Sequence, residues 1–260
     1  MGRISEAFAK AERENRAAFV PYMTAGFPNE RAFIENARAL LEVADVLEVG
    51  LPYSDPLGDG PTIQRASERV LSDGMTTRKT FEMIRELRLE TDKPVVLMTY
   101  YNPIYCYQGG EKAFLEDLKK AGADGIILPD LPPDEADTLL PAARTLDLDT
   151  VFLVAPTSTE ERIRLVTEAC RGFVYAVSVT GVTGAREAVS DELPDFLARV
   201  KTATDLPVAV GFGVSSGDTA RAVAALADGV VVGSALIRAA ETSAGVGALA
   251  RELAAACVRA

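Results

Sequence analysis

The stretch DVLEVGLPYSDPLGDGPTIQ, residues 45–64, decides how the chain is read. Its first six residues, DVLEVG, are nearly all apolar, as a strand buried on both faces must be. Near its end Gly60 and Pro61 mark the start of a helix, because proline is pre-set for the first helical turn. Glu48 stands in the apolar run, and between the run and the helix lies a stiff turn rich in proline and glycine that carries two more carboxylates, Asp55 and Asp59. Strand, loop and helix together form one unit of a parallel α/β protein.

The unit recurs along the whole chain. Seven further apolar runs read as strands: AFVPYMT (18–24), PVVLMTY (94–100), DGIILPD (124–130), TVFLVA (150–155), FVYAVS (173–178), PVAVGF (207–212) and DGVVVG (228–233). Segments of helical period alternate with them, among them ERAFIENARALLEV (30–43), RKTFEMIRELRLE (78–90), EKAFLEDLKKAG (111–122) and DEADTLLPAARTL (134–146). Eight such strands predict an α/β chain folded as one (β/α)₈ TIM barrel domain over residues 1–260, with an extra N-terminal helix. A doubly wound open sheet is the alternative; the count of eight and the length favour the barrel. The segments VADVLEVG (43–50), GADGIILPD (122–130) and LADGVVVGS (226–234) echo one another, each with a helix end, an Ala-Asp step and a strand. Either half-barrel repetition or the common taste of αβ loops for Asp and Gly accounts for this.

Composition narrows the function. The net charge of −11 disfavours a nucleic-acid backbone or an anionic membrane as partner. A small anionic substrate would need a local site against that field. Cys106, Cys170 and Cys257 are odd in number and far apart, which reads as reduced thiols in a cytoplasmic protein. The N-terminal MGRISEAFAKAERENR lacks the apolar region of a signal peptide, Glu6 breaks the myristoylation pattern, and no run is long enough to span a bilayer.

In this fold, chemistry sits at the C-terminal ends of the strands. Three of those ends carry glycine with small hydroxyl residues: Gly181, Thr183 and Gly184; Gly211, Gly213, Ser215 and Ser216; Gly233 and Ser234. Glycines admit an anion close to backbone N–H groups, and a following helix N-terminus favours negative charge, so these loops read as a phosphate seat. Turn chemistry alone is the plainer reading. Glu48, at a strand end, would be partly desolvated, which suits proton transfer; its plainer reading is an ion pair with a nearby arginine. Asp59 lies past the Pro-Leu-Gly turn, where it faces the same substrate or caps the helix at Pro61. Tyr22, Ile63, Tyr100, Tyr175 and Phe212 are available as an apolar lining, or as ordinary barrel packing.

Exclusions sharpen this. No lysine stands at a strand C-terminus, which removes a Schiff-base aldolase or a pyridoxal enzyme. Histidine is absent, which argues against the usual metal aldolase or epimerase site, so no metal is expected. Carboxylate acid–base chemistry on a small phosphorylated molecule survives.

The segments FVPYMTAG, DVLEVGLPYSDPLGDGPTIQRA, VLMTYYNPI, ILPDLP, YAVSVTGVTG, VGFGVSS and VVGSALI resemble, in order and over nearly the whole chain, the tryptophan synthase alpha chain family. The resemblance implies a barrel that cleaves indole-3-glycerol phosphate to indole and glyceraldehyde 3-phosphate, beside a beta chain that holds pyridoxal phosphate. This chain itself would carry no cofactor, and an assembly of two alpha and two beta chains is expected. By resemblance, Glu48 is the general acid–base and Asp59 meets the indole N–H. Tyr175 is a tyrosine near the substrate. Tyr22, Ile63, Tyr100, Ile127, Leu153 and Phe212 form the indole pocket. Thr183 belongs to the phosphate-side loop, and Gly184, Gly213, Gly233 and Ser234 match the phosphate positions. Asp55 and Pro56, with Asn102 and Pro103, fall where the family meets its beta chain. The segment from Val179 to Ser190 resembles a lid. Two positions depart from some members: Tyr22, often phenylalanine, and Val179, in some arginine. Three rivals stand beside this reading: a non-catalytic regulatory barrel, a free-standing indole-releasing lyase, and a sugar-phosphate isomerase.

Overall fold

The structure, a computed structural model, describes residues 2–177, 192–211, 213–242 and 245–259. Eight parallel strands close in sequence order: β1 (Ala18–Thr24), β2 (Leu47–Gly50), β3 (Val95–Met98), β4 (Gly125–Leu128), β5 (Asp149–Val154), β6 (Val174–Val177), β7 (Val208–Gly211) and β8 (Gly229–Val232). Pairing of β1 with β8 completes the ring, so the open-sheet alternative falls. The surrounding helices are α1 (Arg3–Arg13), α2 (Glu30–Val43), α3 (Pro61–Ser72), α4 (Thr77–Arg88), α5 (Tyr101–Tyr105), α6 (Gly110–Ala121), α7 (Leu139–Thr145), α8 (Glu160–Ala169), α9 (Leu193–Ala203), α10 (Gly217–Ala224), α11 (Ser234–Ala240) and α12 (Gly247–Ala256).

The barrel is filled, not hollow. Ala18, Val20, Val46, Val96, Val151 and Val231 are among the residues that pack inside it. The extra N-terminal helix has a specific place. α1 buries Ile4, Phe8 and Ala11 against this interior and so plugs one end. Two strand glycines make room for the plug. A Cβ at Gly229 would lie 2.9 Å from the Phe8 ring, and one at Gly125 3.1 Å from Ile4 Cδ1. The opposite end, toward which the strands run, is left for function.

Local chemistry sets the element ends. α2 begins at Glu30 because the Asn29 side chain accepts the Ala32 N–H. β3 stops at Met98, short of the expected Tyr100, because the chain turns there and Tyr100 becomes the N-cap of α5. The segment 134–146, of helical period throughout, is not one helix. A 3₁₀ turn (Pro133–Glu135) precedes α7, which begins at Leu139 and so holds Pro141 in its first turn, where proline's missing N–H does no harm.

Candidate active site

Inward positions at the open end form one layer. β1 pairs Tyr22 with Glu48 of β2, and β5 pairs Leu153 with Tyr175 of β6. Ile127 of β4 is buried in the same interior. Glycines make room for the two tyrosines at the mouth. A Cβ at Gly50 would sit 2.1 Å from the Tyr22 hydroxyl, and one at Gly211 2.2 Å from that of Tyr175. The Tyr22 hydroxyl bonds Thr24 Oγ1 at 3.1 Å, so its polar tip is satisfied within its own strand.

Glu48 is 3% exposed, and its Oε2 has no hydrogen-bond partner among the described residues. The ion-pair reading gains no support there: among the described residues, none of the arginine or lysine bridges involves Glu48. Burial, then the nearby Asp59, push its carboxyl up to about 8. Asp59 is also buried, and burial raises it to about 7, opposed by the nearby Tyr100 hydroxyl. Two carboxyls in one apolar mouth, one with a donor and one without, are a pair whose environments differ.

The loop from Leu51 to Gly60 delivers Asp59. It turns over Pro56–Asp59, where the Asp59 N–H reaches the Pro56 carbonyl at 3.1 Å. The Gln64 amide then holds the Asp59 carbonyl at 2.8 Å. The expected cap role for Asp59 is not what the structure has. Gly60 is the N-cap of α3, with no side-chain cap bond, and Pro61 takes the first helical position. The Asp59 carboxylate is turned into the mouth instead.

Gly233 touches both sides of the site. A Cβ there would lie 3.3 Å from Tyr22 and 3.4 Å from Ile63, so the glycine loop abuts the apolar wall. Ser234 opens α11 directly after it. Gly213 has φ +84°, and a Cβ on it would meet open space, so it presents bare backbone. Ser215 and Ser216 do other work: their N–H groups go to Thr219 Oγ1, and Ser216 closes the capping box of α10. Thr183, Gly184, Phe212 and the expected lid from Val179 to Ser190 lie outside the described residues.

Asp55, Pro56, Asn102 and Pro103 are not in the mouth. They sit on its outer rim, exposed or half-buried. The sequence reading missed two neighbours on that rim. Leu57 is 92% exposed and Tyr105 68%. Leu57 had a legible signal, being an apolar residue inside a turn with no periodic partner. Elsewhere, a groove of about 550 Å³ between α2 and α4 is lined by Ile34, Met83 and charged residues. Its Lys79 pairs with Glu30, Arg31 with Glu35 and Arg38 with Glu86, so its chemistry is internally satisfied.

Comparison with known proteins agrees with this geometry. A profile of the family described as "Tryptophan synthase alpha chain" matches residues 8–257. A tryptophan synthase alpha chain from Deinococcus radiodurans is 56% identical over 258 residues, 99% of this chain and 95% of the relative. One from Nocardia farcinica is 47% identical over 254 residues, 97% of this chain and 94% of the relative. A solved tryptophan synthase from Mycobacterium tuberculosis superposes with a TM-score of 0.92 at 44% identity, covering 100% of this chain and 99% of that one. The alpha subunit from Legionella pneumophila gives 0.87 at 35% identity, over 99% and 98%.

Proposed function

We infer the working of the site from one premise: the chain belongs to the tryptophan synthase alpha chain family. It is a lyase of L-tryptophan biosynthesis that cleaves indole-3-glycerol phosphate to indole and glyceraldehyde 3-phosphate. The observation that carries our reading of its residues is the buried, unpartnered Glu48 oxygen facing the same mouth as Asp59.

Glu48 moves the protons. One is added at indole C3 and one is removed from the hydroxyl on C3′ of the glycerol chain. The C3–C3′ bond then breaks, its electron pair returns to the ring, and the aldehyde leaves. Adding a proton at C3 places positive charge on the ring nitrogen, and the Asp59 carboxylate offsets it across the N–H. A Glu48 that keeps its proton to about 8 gives it up and retakes it at working pH, as a general acid–base must. The apolar lining of Tyr22, Ile63, Tyr100, Ile127, Leu153 and Phe212 holds the indole, with Tyr175 beside the substrate. Thr183, Gly184, Gly213, Gly233 and Ser234 receive the phosphate through backbone N–H groups and small hydroxyls, which needs no lysine in an acidic chain.

The rim carries the partner. Asp55, Pro56, Asn102 and Pro103, extended by the exposed Leu57 and Tyr105, dock a beta chain that holds pyridoxal phosphate and consumes the indole. Two alpha and two beta chains form the assembly, in the cytoplasm. Among the described residues no helix is long and apolar enough to cross a membrane.

The test is indole release from indole-3-glycerol phosphate by the wild type and Asp59→Asn, each with and without a beta chain. Release that needs Asp59 and rises with the partner supports the reading. A folded protein that releases none in any condition returns the regulatory barrel.

A further inference from the structure

We propose that Tyr100 is a positioning residue: its hydroxyl accepts the Gly58 N–H and aims its own proton at the Asp59 carboxylate, holding that carboxylate over the mouth. The inference rests on the reading that Asp59 works on the indole N–H.

The geometry begins with the Gly58 N–H, which reaches the Tyr100 hydroxyl at 2.9 Å. A phenol has one proton to give and lone pairs to accept with. Once an N–H occupies the acceptor side, the proton is directed elsewhere, and the carboxyl of the next residue in the loop, Asp59, is the acid on which this hydroxyl acts. The ring is fixed independently of this hydroxyl. Tyr100 is 2% exposed, caps the start of α5 and packs on Tyr53 with ring centroids 5.3 Å apart. The approach is tight: a Cβ on Gly58 would lie 3.2 Å from the hydroxyl. The residue before α5 therefore holds two successive residues of a loop that belongs to β2.

This bond separates two acids that share one mouth. Glu48 on β2, Tyr22 on β1 and Tyr175 on β6 interact electrostatically with the site, and Asp130, after β4, acts on Tyr100. None of these gives Asp59 a positive partner. Burial favours its neutral form, and the Tyr100 donor is the opposing influence. Without that donor Asp59 would keep its proton to higher pH and could not offset charge on a ring nitrogen.

The test is the pH profile of kcat/KM for indole-3-glycerol phosphate cleavage, in the wild type, Tyr100→Phe, Asp59→Asn and the double variant. Phenylalanine keeps the ring, its burial and its stack, so the fold and the apolar wall survive; circular dichroism and binding of a non-cleavable indole-3-propanol phosphate check both. A hydrogen bond to a charged group is worth about tenfold or more. We expect the acid limb of Tyr100→Phe to move up by about one pH unit, which costs about tenfold below it and little above about pH 8.5. On the residual rate left in Asp59→Asn, Tyr100→Phe should shift nothing. Loss of equal size at every pH, or no loss, with Asp59→Asn inactive, overturns the positioning role while leaving Asp59 in place. Full activity in Asp59→Asn overturns the reading beneath it.

Discussion

Both ends of the barrel bury carboxylates, and they treat them oppositely. At the plugged end, Asp45 accepts the Phe19 N–H at 2.8 Å and two Arg16 nitrogens at 2.5 and 2.8 Å. Asp124 accepts the Val95 N–H at 2.9 Å, with Arg88 at 2.6 Å and Arg3 at 2.9 Å. Asp228, half-buried, accepts the Val208 N–H at 2.9 Å beside Lys201 at 3.0 Å. Each acid ties the start of one strand to its neighbour and is neutralised where it stands. At the mouth, among the described residues, Glu48 has an unpartnered oxygen and Asp59 has only the nearby Tyr100 phenol acting against its burial. Paired burial builds the ring; unpaired burial is what our proposed reading uses for proton transfer. Asp149 lies between: burial raises it, and Arg171, 3.6 Å away, partly opposes.

The comparison breaks first at Glu48. Glu48→Gln should lower cleavage by roughly 10²–10⁴-fold, with melting temperature at pH 8 unchanged or higher, because no partner is lost. A folded variant with normal indole release would put the acid–base elsewhere. At the other end, Asp124→Asn leaves the half-buried Arg88 with backbone carbonyls but no counter-charge and should cost about 3 kcal/mol in urea unfolding. The folded fraction should keep its cleavage rate. A cost below about 1 kcal/mol would make the plugged-end pairs ordinary surface bridges.

A pH series sharpens the same contrast. Glu48 holds its proton to about 8 in the fold, against an ordinary value of 4.5. Between those values the folded chain binds more protons than the unfolded one, so this group's contribution to stability falls as pH rises through the window. The melting temperature of the wild type minus that of Glu48→Gln should therefore drop by a few degrees between pH 5 and 8.5, a window set by that shift. A difference flat in pH would mean that Glu48 is not desolvated in solution.

The two ends were also unequally legible. All eight strands stood out because a parallel sheet covered on both sides needs unbroken apolar runs. α2 was readable to the residue because Asn29 and the Ala44-Asp45 step punctuate it. The 134–146 segment misled because its apolar spacing suits a helix that Pro141 does not allow to begin earlier. Glu48 and Asp59 could be picked out by type and place. That Asp59 leaves the helix cap to Gly60 is a matter of side-chain direction, which spacing does not carry. The Ala-Asp echo was visible at 44–45, 123–124 and 227–228, but its meaning was not. Each aspartate accepts an N–H from the preceding strand, a contact 20 to 29 residues away that no local pattern encodes.

The smallest expected effect lies on the rim, next to the most consequential loop. Leu57 is the residue before Gly58 in the turn that delivers Asp59, yet it is 92% exposed. A side chain with that exposure contributes little to the fold, so Leu57→Ser should change stability by no more than about 0.5 kcal/mol. The backbone bonds that place Asp59 run through Pro56, Gly58 and Gln64 and not through this side chain, so cleavage by the isolated chain should stay within about twofold. Docking is where the leucine should count. An apolar residue that becomes buried against a partner contributes about 1.4 kcal/mol or more, which is tenfold in affinity. Titration of a beta chain into the wild type, Leu57→Ser and Tyr105→Ser should show weaker binding for both variants. If both bind as the wild type does, the partner sits elsewhere and the mouth's rim is merely solvent-facing. If only Leu57→Ser fails, the contact belongs to the β2 loop alone, the same loop that carries Asp59, and docking and chemistry share one short stretch of chain.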